Sequence, residues 1–322
     1  LFIAHRKTIL RKAKYTFENI ISNKKMAIYG EESIVDADYI FAMVQTLNKK
    51  EHLEKFSKNY FNYIIIDEVH HSGAKTYQSI ISYFKPDFLL GMTATPERSD
   101  DFDIYRLFNH NIAYEIRLYD ALRENLLCPF HYFGVSDITV DGECIDNKTS
   151  IKNLTLEQRI DHIIEKSRYY GYSGEKLHGL MFVSRVEEAN ILAEKFNERG
   201  IKSIALTGEH GDNTRENAIE KLENGEIEYI ITVDIFNEGI DIPCVNQVIL
   251  LRPTESSIVY IQQLGRGLRK NKNKEFVVVL DFIGNYEKNF LIPTAISQNN
   301  RFYEKIYFEW NKYDSRRKFN FF

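Results

Sequence analysis

Short, wholly apolar runs that alternate with amphipathic stretches restrict this chain to one class of fold. LFIAH opens the chain, and YIFAMV at 39–44, NYIII at 62–66 and DFLLG at 87–91 follow, with helical or mixed segments between them. A strand that is apolar along its length is covered on both faces, and strands joined through helical crossovers pair in parallel. The rhythm breaks at 118–150, where LLCPFHYFGVSDITVDGECIDNKTS carries a proline and a polar Asp/Asn/Ser cluster. From 151 it resumes, with a helix near 155–170, a strand at 179–183 and a helix at 186–199. Strands near 202–206, 229–233, 246–251 and 276–282 complete the pattern. The expected architecture is α/β, with two parallel-sheet units in tandem, and a length of 322 residues agrees with two domains.

The expected boundaries are 1–118 for the first unit, 119–150 for a connection, 151–285 for the second unit and 286–322 for a C-terminal extension. That extension is aromatic-rich and basic near its end, at Lys312, Arg316, Arg317 and Lys318, and reads as helical. The first unit opens on a strand that runs straight into the helix RKTILRKAKYTFENII. Domains rarely begin on a central strand, so the first unit is expected to be truncated at its N-terminus.

Composition excludes several classes. With 43% hydrophobic and 27% charged residues, the chain is neither disordered nor fibrous. No apolar run approaches the ~20 residues that span a bilayer, and the opening is too short and polar for a signal peptide. A cytoplasmic location and no membrane partner are expected. Cys128, Cys144 and Cys244 are scattered without CxxC spacing, so buried or idle thiols fit better than zinc or a redox pair. A net charge of −4 rules out an all-over basic surface, but gripping nucleic acid in a cleft needs only a local basic stripe.

YIIIDEVHH at 63–71 carries the strongest chemical signal. A carboxylate at the carboxyl end of a parallel strand lies where α/β sheets bind nucleotides. Asp67 there is suited to hold Mg²⁺ through water, and Glu68 to orient or deprotonate an attacking water. A solvated acidic pair capping the next helix is the competing reading. FLLGMTATPERSD then places Thr93-Ala94-Thr95 after another apolar run, 26 residues beyond Asp67, where hydroxyls can bond the acidic pair.

Together DEVH and TAT resemble motifs II and III of superfamily 2 helicases, of the DExH type. YIITVDIFNEGIDIP at 229–243 resembles motif V of that family, and YIQQLGRGLRK at 260–270 resembles motif VI, both in the family's order. The resemblance implies two RecA-like lobes, ATP and Mg²⁺ as cofactors, and nucleic acid as partner. Arg269, the last arginine of the QxxGRxxR pattern, would reach the γ-phosphate, for which an always-charged planar fork is suited. Arg266 would contact phosphates or organise the cleft, and Gln262 or Gln263 would couple nucleotide to lobe closure. An exposed basic helix is the alternative for these arginines. His70, the last residue of DEVH, joins the nucleotide and coupling group with Thr93 and Thr95. Gly239 would let backbone approach a ligand, and Asp241 would accept from a ribose hydroxyl or a neighbouring donor.

Three weaker segments resemble the elements that track nucleic acid. AHRKT at 4–8 resembles motif Ia, VQTL at 44–47 a strand-end contact element, and FVSRVEEA at 182–189 motif IV. His5, Arg6, Gln45, Thr46, Ser184 and Arg185 would therefore meet phosphates beside helix N-termini, positioning a strand without reading bases. Each of them could equally be a cap or a surface polar residue. Thr232 would join them as a donor to phosphate, although a strand-end threonine is more often structural.

DEVH, TATPER and QQLGRGLRK look closer to restriction-type and repair-type DNA motors than to DEAD-box RNA proteins, so DNA is favoured over RNA. LDFIGNYEKNFLIP at 280–293 is similar to a run in bacterial proteins that append further domains. One family element has no counterpart, because GxxxxGK[ST] occurs nowhere and SGAKT at 72–76 and SGEKL at 173–177 are poor copies. The expectation is a helicase or translocase motor whose phosphate-binding loop lies outside this chain, inactive by itself. The alternatives are an ATP-gated or ATP-independent nucleic-acid-binding module on a helicase core, and a metabolic α/β enzyme whose motifs coincide.

Overall fold

The computed structural model describes residues 1–35, 37–73, 75–93, 103–136, 139–140, 143–144, 153–233, 242–252, 265, 267–283 and 318–321. The chain divides into two compact units, Leu1–Glu115 and Ile116–Phe322. Each unit is built on its own largely parallel sheet.

In the first unit, β1 (Phe2–Ala4) leads through α1 (Lys7–Ile20) to β2 (Met26–Ile28) and β3 (Tyr39–Met43). Two single helical turns follow, α2 (Val44–Leu47) and α3 (Lys50–Leu53). Then come β4 (Tyr63–Ile66), α4 (Lys75–Tyr83) and β5 (Phe88–Gly91). The strand order is β2-β3-β1-β4-β5, parallel throughout, with Phe2 opposite both Phe41 and Ile65.

Side chains alternate across a strand, and β1 shows what its apolar run does. Phe2 and Ala4 pack with Phe41, Ile28, Ile9 and Leu10 on the α1 side, whereas Ile3 joins Ile40, Ala42, Ile64, Ile66, Tyr77 and Ile80 on the other. Ile9, Leu10, Ala13 and Phe17 recur at helical spacing, which gives α1 its buried stripe. The Phe17 ring lies 5.6 Å from that of Phe41 at 87°, an edge-to-face contact.

The second unit begins with α5 (Leu118–Arg123), β6 (Phe130–Ser136) and the small hairpin β7 (Thr139–Val140) and β8 (Glu143–Cys144). It continues through α6 (Asn153–Tyr170), β9 (Gly179–Phe182), α7 (Val186–Glu198) and β10 (Ser203–Leu206). After these come α8 (Asp212–Glu223), β11 (Tyr229–Thr232), β12 (Gln247–Leu250), β13 (Val277–Ile283) and β14 (Lys318–Phe321). The sheet order is β10-β11-β9-β12-β13-β6-β14, with only the edge pair β14–β6 antiparallel. Leu180, Phe182, Val248, Leu250, Val277 and Val279 fill one face, and Met181, Val183, Ile249, Leu251, Val278 and Leu280 the other. A sheet covered on both faces is the reason these strands read as continuous apolar runs.

Two segments differ from the sequence reading, 130–136 and the described end of the extension. Residues 130–136, placed in the connection, form β6 and pair along their length with β13. Phe130 and Tyr132 face one core layer while Phe133 and Val135 face the other, and Pro129 lies just ahead of the strand, where its carbonyl accepts from Val277. VQTL is a helical turn directly after β3. In the extension read as helical, the described residues are 318–321, and they form a strand on the edge of β6. No helix among the described residues is long and apolar enough to cross a membrane.

Candidate nucleotide and nucleic-acid sites

Because the first unit's strands are parallel, their carboxyl ends share one edge, and most of its candidate residues follow those ends. His5 and Arg6 follow β1, Gln45 and Thr46 follow β3, Asp67 and Glu68 follow β4, and Thr93 follows β5. The Asp67 amide donates to the Ile3 carbonyl at 3.0 Å, extending the β1–β4 ladder to the acidic pair. The chain then turns sharply, with Glu68 at φ 51°, in the left-handed region that residues bearing a Cβ rarely occupy. The Asp67 carboxylate braces this turn by accepting from the Glu68 amide at 3.0 Å. Val69 donates to the Met92 carbonyl at 2.9 Å, which draws the turn against the end of β5.

His70 Nδ1 lies 2.9 Å from Thr93 Oγ1 and 3.2 Å from Glu68 Oε2. Glu68 Oε2 is enclosed, and its approach to His70 lacks the alignment of a hydrogen bond. A protonated Nδ1 donates to Thr93 Oγ1 and a bare Nδ1 accepts from that hydroxyl, so the tautomer sets the direction of this bond. Burial raises the pKa of Asp67, the neighbouring Glu68 charge raises it further, and the Glu68 amide, His5 and His70 oppose the rise. The sequence reading assigned His5 to nucleic acid, and the fold brings its ring near enough to Asp67 to act on its charge. The His5 carbonyl accepts from Gln45 Nε2 at 2.9 Å, which links the ends of β1 and β3. Arg6 caps α1 in an extended conformation without a side-chain cap bond, and Gln45 is exposed on the first turn after β3.

In the second unit, Ser184 and Arg185 follow β9 and open α7. The Ser184 amide donates to Glu188 Oε2 at 3.2 Å, so Glu188 reaches back to cap the helix start. Arg159 Nη1 approaches the other Glu188 oxygen at 3.4 Å, and burial raises the Glu188 pKa against this pairing. Arg185 is exposed at the helix entrance. Thr232 ends β11 wholly buried, and its hydroxyl has no hydrogen-bond partner among the described residues. Arg269 is exposed directly after buried Leu268, whose carbonyl accepts from the Cys128 amide at 2.7 Å. Thr95, Gly239, Asp241, Gln262, Gln263 and Arg266 lie outside the described residues.

The sequence reading passed over Lys274. Its ammonium is buried and donates to the carbonyls of Pro243, Val245 and Gly267 at 2.7, 2.8 and 2.7 Å. Its setting, KNKNKEF, reads as a solvated charge run, and no spacing rule marks one lysine in it as buried.

Both units resemble known proteins. Residues 1–98 match the family described as type III restriction enzyme, res subunit, and residues 156–271 match the helicase conserved C-terminal domain. The chain is 30% identical over 303 residues to the Saccharomyces cerevisiae protein described as ATP-dependent helicase IRC3, covering 88% of this chain and 43% of that protein. It is 26% identical to the DNA 3'-5' translocase XPB2 of Sulfurisphaera tokodaii, across 69% of this chain and 58% of that one. The chain thus spans less than two thirds of either relative. Among solved structures, a fragment of an HsdR-type subunit of a type I restriction enzyme from Vibrio vulnificus superposes with a TM-score of 0.64 at 21% identity. That match covers 92% of this chain and 55% of the other. Both units match helicase-type families over the segments that hold DEVH and LGRGLRK, and the chain belongs to the superfamily 2 helicases.

Proposed function

We propose that the protein is an ATP-hydrolysing motor that translocates along or unwinds nucleic acid, with DNA rather than RNA as its track. The observation that carries this reading is the Asp67–Glu68 turn, where two partly buried carboxylates stand at the carboxyl edge of a parallel sheet and His70 lies against Glu68 and Thr93. Among the described residues no group of three or more His, Cys, Asp or Glu could hold a metal. Asp67 instead suits a cation shared with phosphate and water, and a positive charge there relieves the repulsion and burial that raise its pKa. Mg²⁺-bound ATP would supply the γ-phosphoryl group and the charge that screens it. Glu68 orients and deprotonates the water, and His70 links that carboxylate to Thr93 at the next strand end. Arg269 stabilises charge on the departing phosphate, and Arg6, Gln45, Thr46, Ser184 and Arg185 hold the nucleic-acid backbone.

DNA is favoured by the restriction-enzyme family match and by the relative described as a DNA translocase. The chain carries no GxxxxGK[ST], so by itself it should bind nucleotide weakly and not turn it over. The test is hydrolysis by the full-length gene product with single-stranded DNA, duplex DNA and RNA. DNA should stimulate turnover most, and Glu68→Gln should abolish it while sparing nucleotide affinity. Turnover indifferent to nucleic acid, or unchanged in the Gln variant, contradicts the proposal, and stronger stimulation by RNA moves the track to RNA.

A further inference from the structure

Lys274 is placed where it can govern the geometry of Arg269. It ends a tight turn in which its amide donates to Asn271 O at 3.2 Å and the Asn273 amide donates to Asn271 Oδ1 at 3.0 Å. From that turn its side chain runs into the protein, and its relative exposure is 8%. An ammonium has three donors and no acceptor, and three backbone carbonyls take them. Two of these, Pro243 and Val245, lie just past Asp241, and the third, Gly267, lies two residues before Arg269.

The same junction is also packed closely. A Cβ added at Gly267 would lie 3.3 Å from Val245 and 3.4 Å from Val248, so the segment before Arg269 rests directly on the segment after Asp241. Leu268, between Gly267 and Arg269, is wholly buried and accepts from the Cys128 amide. A buried charge needs partners of this kind, and removing it leaves three carbonyls to find other donors.

We infer that Lys274 is a positioning residue for turnover, holding the backbone that carries Arg269 against the backbone that follows Asp241. The inference rests on the proposed ATPase reading and assigns Lys274 no contact with nucleotide. A misplacement of about 1 Å in a group that acts on the transition state costs about 10² in rate. In the full-length gene product, Lys274→Met should lower kcat tenfold or more and change the KM for ATP less than about threefold.

Because Lys274 acts through Arg269, adding Lys274→Met to Arg269→Ala should cost less than about twofold more. Without nucleotide, amide exchange across 242–246 and 265–270 should quicken in Lys274→Met while β12 and β13 keep their protection. Lys274→Gln, with two amide donors in place of three, should fall between wild type and Met, and it carries the same comparison should Met not fold. Normal kcat in a folded Lys274 variant, or losses that multiply fully with Arg269→Ala, would overturn the inference. So would failure of both variants to fold, which would make Lys274 a residue of stability alone. In each of these cases wild-type turnover stands. Wild-type protein without nucleic-acid-stimulated turnover would instead remove the ATPase reading, and this inference with it.

Discussion

Glu68 occupies a backbone conformation that costs about 1–2 kcal/mol for a residue with a Cβ, beside a carboxylate whose charge opposes its own. Strain and repulsion at one residue are what a site retains when the side chain is needed there. Glu68→Gly relieves both, so thermal or denaturant unfolding should show a gain of up to about 1 kcal/mol while nucleic-acid-stimulated hydrolysis is lost. A less stable glycine variant would show that the turn is not strained. The acidic pair was legible in sequence because two carboxylates directly follow an apolar run, a junction that parallel sheets use for ligands. The placement of His5 was not, because only the pairing of β1 with β4 brings residue 5 near Asp67. Lys274 was hidden for a related reason: composition describes a charge run, and only the fold shows which of its lysines turns inward.

At the level of elements, β13 and β6 are joined by a buried polar contact as well as by their ladder. Tyr132 on β6 donates its hydroxyl to Asp281 on β13 at 2.6 Å, and burial pushes the Asp281 pKa up to about 6 from the ordinary 3.8. A carboxyl raised in the folded state favours folding in its protonated form, so its cost is absent below about pH 4. The cost grows as pH rises from there to about 6 and is complete above that, at about 3 kcal/mol. Asp281→Asn has no such titration. Its stability relative to wild type should climb by about that amount between pH 4 and pH 7 in denaturant melts, and a constant difference would show that Asp281 does not titrate in this window. The adjoining strands show what sequence can and cannot reveal about elements. β9, β12 and β13 were legible because their apolar runs serve two core layers. β6 lay inside a stretch whose proline and polar cluster marked it as linker, although its own seven residues supply both layers. β2, only Met26–Ile28 behind Lys24 and Lys25, is too short to show a period.

For the molecule as a whole, a net charge of −4 and the polyanionic track proposed for it would leave local basic groups at strand ends to supply the affinity. Arg6 follows β1 and Arg185 follows β9, each directly before the start of a helix, the end of a helix that favours anions. On the proposed reading both arginines would meet phosphate, which gives affinity without base preference and makes it depend on salt. Each arginine that neutralises a phosphate adds about −0.7 on a single strand, or about −0.9 on a duplex, to the slope of log K against log salt. Binding measured at several ionic strengths should therefore weaken steeply and by similar amounts on unrelated sequences. Arg185→Ala removes one such contact: it should weaken binding on every sequence alike and flatten the slope by about 0.7–1. If Arg185 serves only the fold at the start of α7, the variant would lose stability while the salt slope stays at the wild-type value, because no phosphate contact is lost. A strong preference for one short sequence would contradict the phosphate-tracking reading from the other side, since strand-end cations and helix amides carry no information about bases.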